Sequence, residues 1–118
     1  MNFTSKYHQN LITEFTDVEL ILQDSIKIIK LKLHKIILSY ASEYFYKLFS
    51  FNKHKSNYTM VVLDADLIES IIMSFYGLQS VPHNYPEWEY TLKMFKCRDY
   101  LCLPNDITKL YDLIVPIE

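Results

Sequence analysis

His34 and Lys35 stand side by side where an alternating run, KLKL, gives way to an aromatic-rich stretch, KIILSYASEYFYKLF. An imidazole beside an ammonium group can act as a general base with an electrophilic neighbour if a nucleophile or a carboxylate lies within reach. No serine, cysteine or carboxylate is positioned by sequence to make His34 such a base. His8, His34, His54 and His83 are scattered, with no His-x-x-x-His or Cys-x-x-Cys spacing to gather a metal. Cys97 and Cys102 are five residues apart, on different sides of a helix and too divergent for an easy disulfide. No second cysteine pair completes a zinc site. The chain has one glycine, which argues against the Gly-rich loops that cradle phosphates. These residues predict no catalytic centre, no metal and no cofactor.

The elements that hold these residues are those of a folded domain. A chain of 118 residues, half of them hydrophobic, is long enough to bury a core and forms one domain over 1–118. With a net charge of −2, no overall basic field attracts nucleic acid. The lysines of KIIKLKLHK are a local exception and read as the solvated side of a hairpin. The N-terminus carries no apolar signal core, and no apolar run approaches membrane-spanning length. An intracellular, reducing, cytoplasmic setting without secretion is the expectation, so the sequons at Asn2 and Asn57 carry little weight.

Tyr7, Leu11 and Phe15 fall at i, i+4, i+8 and predict a short amphipathic helix over 5–15. DVELILQD alternates as a half-buried strand, with a turn at Asp24-Ser25. The returning strand changes phase, which predicts a bulge or a long hairpin loop around Ile26–Ile28. From Leu33 the period becomes helical, with Ile37, Ala41, Tyr44, Phe45 and Leu48 on one stripe and a break near Ser42. YTMVVLD is a third strand. Asp66 and Glu69 have capping-box spacing ahead of a helix that Gly77 ends. Pro86 suits the first turn of a long helix, and Ile107, Leu110, Tyr111 and Ile114 mark a last one. The order is α+β: a small three-stranded sheet capped by about five to six helices.

DVELIL, LKLHKIILSYASEYFYKLF, VVLD, IIMSFYG and FKCRDYL, in that order, resemble the BTB/POZ domain over about residues 15–115. Asp17, His34, Lys35, Leu38, Ser42, Phe45, Phe49, Tyr76, Gly77, Asp99, Tyr100 and Leu101 stand at the family's positions. The phrasing SFYG…NYPEWEYTLKMFKCRDYL is similar to BTB domains of large DNA viruses of the mimivirus kind, where WD repeats often follow. The resemblance implies a non-catalytic protein–protein interaction module, with a viral origin and host proteins as its setting. It makes His34 a packing residue at the start of a helix.

The resemblance also supplies candidate partner-binding residues. Asp17 and Lys35 match a charged pair beside a groove that accepts a partner's peptide, with a structural ion pair as the plainer reading. Tyr76 matches a tyrosine used by cullin-3 adaptors, and Phe51 offers an apolar contact from the following loop, although NKHK there is basic. Dimerisation with a copy or another BTB protein implies an N-terminal surface, here Tyr7, Leu11, Ile12 and Phe15, within only sixteen residues before Asp17. Tyr46, off the main helical stripe, is the aromatic expected to be exposed. Tyr40, Tyr44, Trp88 and Tyr90 are assigned to helix packing.

The expected function is homo- or hetero-dimerisation, with docking to a cullin-3 ubiquitin ligase as a further option. A stand-alone BTB domain that occupies host BTB or cullin surfaces, and so interferes with them, is the alternative. A hydrolase or transferase is disfavoured by the scarcity of glycine and the lack of a nucleophile–base arrangement. Nucleic-acid binding would rest on the KIIKLKLHK strip alone, and replacing Lys30 and Lys32 would abolish it.

Overall fold

The computed structural model describes residues 14–78 and 84–105. Strand β1 (Val18–Gln23) and strand β2 (Ile28–Leu33) form an antiparallel hairpin. Helices α1 (Lys35–Ala41) and α2 (Glu43–Phe51) follow, then strand β3 (Asn57–Val61), helix α3 (Ala65–Phe75) and helix α4 (Glu87–Tyr100). The sheet order is β2-β1-β3, with β3 parallel to β1. A parallel neighbour cannot be reached by a tight turn, so α1 and α2 form the crossover.

Alternation along the strands decides which face is covered. Val18, Leu20 and Leu22 are buried and pair in register with Leu33, Leu31 and Ile29 on one side. Tyr58 and Met60 extend the same face from β3. Phe45 of α2 is fully buried, stacks on Phe49 at 5.8 Å, and Phe49 meets Tyr58 at 5.4 Å. Leu38, Ile68, Ile72 and Leu101 complete this core from the helical side.

The β1–β2 register runs unbroken from Val18↔Leu33 to Gln23↔Ile28, so there is a loop here and no bulge. The phase change in the sequence comes from residues 24–27, which turn outside the ladder. Asp24 makes that turn, its Oδ1 accepting the N–H groups of Ile26 (2.7 Å) and Lys27 (2.8 Å). Its Oδ2 accepts the Ala65 N–H at 2.7 Å, which ties the hairpin to the start of α3.

Ser42 sits between α1 and α2 in extended conformation, as the break near it predicted. Its hydroxyl accepts the Phe45 N–H and donates to the Leu101 carbonyl at 2.7 Å. The cap of α3 is Asp64, which accepts the Leu67 N–H at 3.1 Å, and not Asp66. Asp66 instead lies within the first turn and pairs with Lys27 at 2.9 Å. Burial explains the choice: the capping carboxylate is the one enclosed by α4, where an unsatisfied helix N–H would be costly.

Gly77 ends α3 with φ 77°, donating to Ser74, while Leu78 donates to Met73. These two bonds close a Schellman motif, and the left-handed residue it requires is the chain's single glycine. The end of α4 uses the same pair of bonds, Cys102 to Asp99 and Leu103 to Arg98, but with Cys102 at φ 57°. Four helices lie among the described residues, against the five to six expected. The helix expected over 107–114 falls outside them, as does 5–13. Phe15 is exposed with φ 63°, so the helix expected over 5–15 does not run through it.

Candidate interaction surface

Asp17 and Lys35 are brought together, but not as a buried ion pair. Asp17 Oδ1 accepts the backbone N–H of Lys35 at 2.8 Å and so satisfies the first free amide of α1. His34, the residue preceding α1, makes no side-chain cap of its own, which leaves this task to Asp17. The Lys35 ammonium turns away to the carbonyls of Lys55 (2.8 Å) and Lys53 (3.3 Å) and lies 5.8 Å from the Phe49 ring. Asp17 is exposed, so the expected pair is corrected to a helix cap plus a clamp on the α2–β3 loop. The reason is geometric: a carboxylate at the foot of β1 meets the helix amide before it meets the ammonium. Both residues do border one open groove of about 410 Å³, together with Lys53, Ile36, Tyr46 and Phe49.

Tyr46 is exposed on that groove, as its position off the helical stripe predicted. Ile36 and Tyr40, one turn apart on α1, are 79% and 96% exposed. Tyr40 and Trp88 were expected to pack within the helices and do not, Trp88 being 57% exposed. The signal was available in the sequence: Ile36 and Tyr40 share a spacing of four but lie on a different side from Ile37, Ala41 and Tyr44. A helix with apolar residues on two sides has one side left for something outside its own core. Tyr44 and Tyr90 are half-buried, as packing residues should be. Tyr44 meets Tyr100 hydroxyl to hydroxyl at 3.2 Å.

Phe51, at the end of α2, is 94% exposed and leads into the exposed loop Asn52–Lys55. Tyr76 is placed differently. It is 8% exposed, and its hydroxyl takes the His34 backbone N–H at 3.0 Å and meets His34 Nδ1 at 2.9 Å. Burial raises the Tyr76 pKa above the ordinary 10.0, so the hydroxyl keeps its proton. His34 Nε2 contacts the Glu14 carbonyl at 2.6 Å. A carbonyl only accepts, so Nε2 donates to Glu14 while Nδ1 meets the Tyr76 hydroxyl. The imidazole therefore fastens α1 to the end of α3 and to the segment before β1, the packing role the sequence predicted. Of the N-terminal candidates, Tyr7 and Leu11 lie outside the described residues, and Phe15 is exposed.

Among the described residues, no group of three or more His, Cys, Asp or Glu side chains is arranged to hold a metal. None of their helices is long and apolar enough to cross a membrane. What the surface offers is exposed aromatic and aliphatic side chains on rigid helices, the equipment of a protein that binds other proteins.

The chain belongs to the BTB/POZ domain family, whose pattern matches residues 7–116. That family is one of protein–protein interaction modules. A BTB/POZ domain and WD-repeat protein of Acanthamoeba polyphaga mimivirus is 39% identical over 120 residues, spanning 100% of this chain and 24% of the relative. A second mimivirus BTB/POZ domain-containing protein is 38% identical over 117 residues, spanning 98% of this chain and 15% of its own length. The chain thus spans a quarter or less of the length of these curated relatives. Among solved structures, the BTB domain of human gigaxonin superposes with a TM-score of 0.61 at 17% identity, covering 87% of both chains. The BTB domain of zebrafish PATZ1 gives 0.57 at 18% identity, covering 97% of both. These two likenesses establish the α+β BTB fold.

Proposed function

We propose that this domain pairs with a second BTB domain, its own copy or a related chain, through the exposed side of α1 and the start of α2. The observation that carries this reading is the Ile36–Tyr40 pair, two large apolar side chains one turn apart and almost wholly exposed on a rigid helix. Tyr46 continues the patch beside the groove. In this reading Tyr7, Leu11 and Phe15 contribute from the N-terminal side, and the pairing is isologous, so each of these residues counts twice. The work is done by binding, without catalysis, in a reducing intracellular compartment where Cys97 and Cys102 stay free. A partner held in this way is also withheld from its other BTB contacts, which gives the domain a route to interference.

Light scattering on the purified chain tests the pairing. A dimer that becomes a monomer in Ile36→Asp and in Tyr40→Asp, with circular dichroism unchanged, is the expected result. A monomer at all concentrations, with no related BTB domain shifting its mass, would sink the reading.

Phe51 favours a second use of the same domain, docking to a cullin-3 ubiquitin ligase. An exposed phenylalanine at a helix end is the apolar contact such docking requires, and the half-buried Lys35 clamp holds its loop in place. Tyr76 serves this reading from beneath, by fixing the end of α3. A mass shift with the cullin-3 N-terminal domain that Phe51→Ala removes is the expected result, and no shift for the unaltered chain ends it.

A further inference from the structure

The inner face of the sheet is covered by helices, and its outer face divides into two kinds of surface. The register places Val61, Gln23 and Ile28 side by side across the three strands at the end nearest the hairpin turn. Val61 and Ile28 are exposed, and so are Ile26 in the turn and Leu63 just after β3. The next row along is Thr59, Ile21 and Lys30, and the row beyond it Asn57, Glu19 and Lys32. An aliphatic patch is therefore bordered along β2 by two exposed lysines, neither of which makes an ion pair among the described residues.

The start of α4 carries the matching chemistry. Trp88 is 57% exposed between Glu87 and Glu89. Glu87 is exposed and makes no ion pair among the described residues, while Glu89 reaches Lys93 at 3.4 Å. Trp88 and the aliphatic patch are both uncovered in the single chain, so they do not cover one another within it. An exposed indole with acidic neighbours and an exposed aliphatic patch with basic neighbours are complementary in both apolarity and charge.

We propose that the lysine-bordered outer face of the sheet receives the Glu87–Trp88 corner of a second copy of this chain. The indole rests on Ile28 and Val61, and Glu87 faces Lys30 and Lys32. The contact uses neither Ile36 nor Tyr40, so it is independent of pairing through α1 and adds to it. Lys30 and Lys32 also guard the β2 edge against strand addition, which directs a partner to the face of the sheet. A contact of one corner on three short strands is small beside a standard interface, so the association is weak and grows with concentration.

Sedimentation velocity and light scattering over a wide concentration range, at low and at high salt, test this with the whole chain. The mean mass is expected to rise with concentration at low salt, beyond any species already present on dilution, and to rise less at high salt. Trp88→Ala should weaken that rise about tenfold, the scale of losing an interfacial indole. Lys30→Glu/Lys32→Glu and Glu87→Lys should each abolish it alone, and an equimolar mixture of the two variants should restore it. All of these positions are on the surface, and circular dichroism checks that each variant folds. A mass independent of concentration, a rise unaffected by both reversals, or a mixture that stays unassembled would overturn the proposal. Ile36→Asp separates the two contacts: it removes pairing through α1 and leaves this association in place.

Discussion

The Tyr76 hydroxyl accepts the backbone N–H of His34 at 3.0 Å and lies 2.9 Å from Nδ1 of the same residue. Two residues 42 apart in sequence thus share two hydrogen bonds, which join the end of α3 to the start of α1. The surface that carries Ile36 and Tyr40 is built on this joint.

Removing the hydroxyl should loosen it. Tyr76→Phe keeps the ring and strands the His34 N–H, so a loss of about 1–3 kcal/mol in urea unfolding is expected. If pairing through α1 depends on the joint, the dimer should weaken in the same variant without any change to an exposed residue.

Asp24 gives stability a pH dependence. Its carboxyl is held below the ordinary 3.8, first by the Ala65 N–H and then by those of Lys27 and Ile26. A folded-state pKa below the unfolded one means stabilisation present above the unfolded value and lost as pH falls through the folded value. Asp24→Asn keeps one acceptor oxygen and cannot lose a charge. The advantage of the wild type over this variant, about 1 kcal/mol near neutrality, should persist to about pH 5 and shrink below about pH 4. Urea unfolding across a pH series reads it out, and an advantage that grows on acidification contradicts the assignment.

Asp64 is the most enclosed carboxylate of the described residues, and it caps α3 while accepting the Tyr85 hydroxyl. Lys93 stands 3.6 Å away and lies over the Tyr85 ring at 4.2 Å. Asp64→Ala removes the cap and strands buried donors, so a cost of about 3 kcal/mol is expected. Lys93→Ala, at a partly exposed group, should cost about 1 kcal/mol or less. Comparable losses from the two would show that the ammonium matters as much as the cap.

The two left-handed helix ends should respond in opposite directions. Gly77→Ala puts a Cβ into a conformation that resists it and should cost about 1 kcal/mol. Cys102→Gly relieves the same conflict at the end of α4 and should add about 1 kcal/mol. Thermal unfolding of the two variants checks both signs.

The cysteines should also differ in reactivity. Burial pushes the Cys97 thiol up to about 11, and the residue is enclosed in the core, whereas Cys102 is exposed. Thiol titration of the native chain should give one fast and one slow equivalent, and Cys102→Gly should remove the fast one. Two fast equivalents would mean that α4 opens readily.

Much of this molecule follows from local pattern. Val18, Leu20 and Leu22 declare a strand with one covered face, and Phe45 and Leu48 a helix stripe, because side-chain period depends only on backbone geometry. Ser42 as a break and Gly77 as a stop are equally local, since each acts on its own φ/ψ or its own amide. The strand order, the tie between Asp64 and Tyr85 and the uses of Asp17 and Lys35 were not local. Each depends on which distant atom arrives first: the Lys35 amide at Asp17, the Tyr85 hydroxyl at Asp64, the His34 nitrogen at Tyr76. Exposure is of the same kind, for it belongs to the packed arrangement and not to a residue. Tyr76, just past the end of α3, and Tyr40 on α1 are the same amino acid, yet packing encloses one and leaves the other 96% exposed. Sequence by itself determined the family and the α+β class of the fold. Only the tertiary structure decided which side chains remain outside to meet a partner, because burial is settled by every element at once.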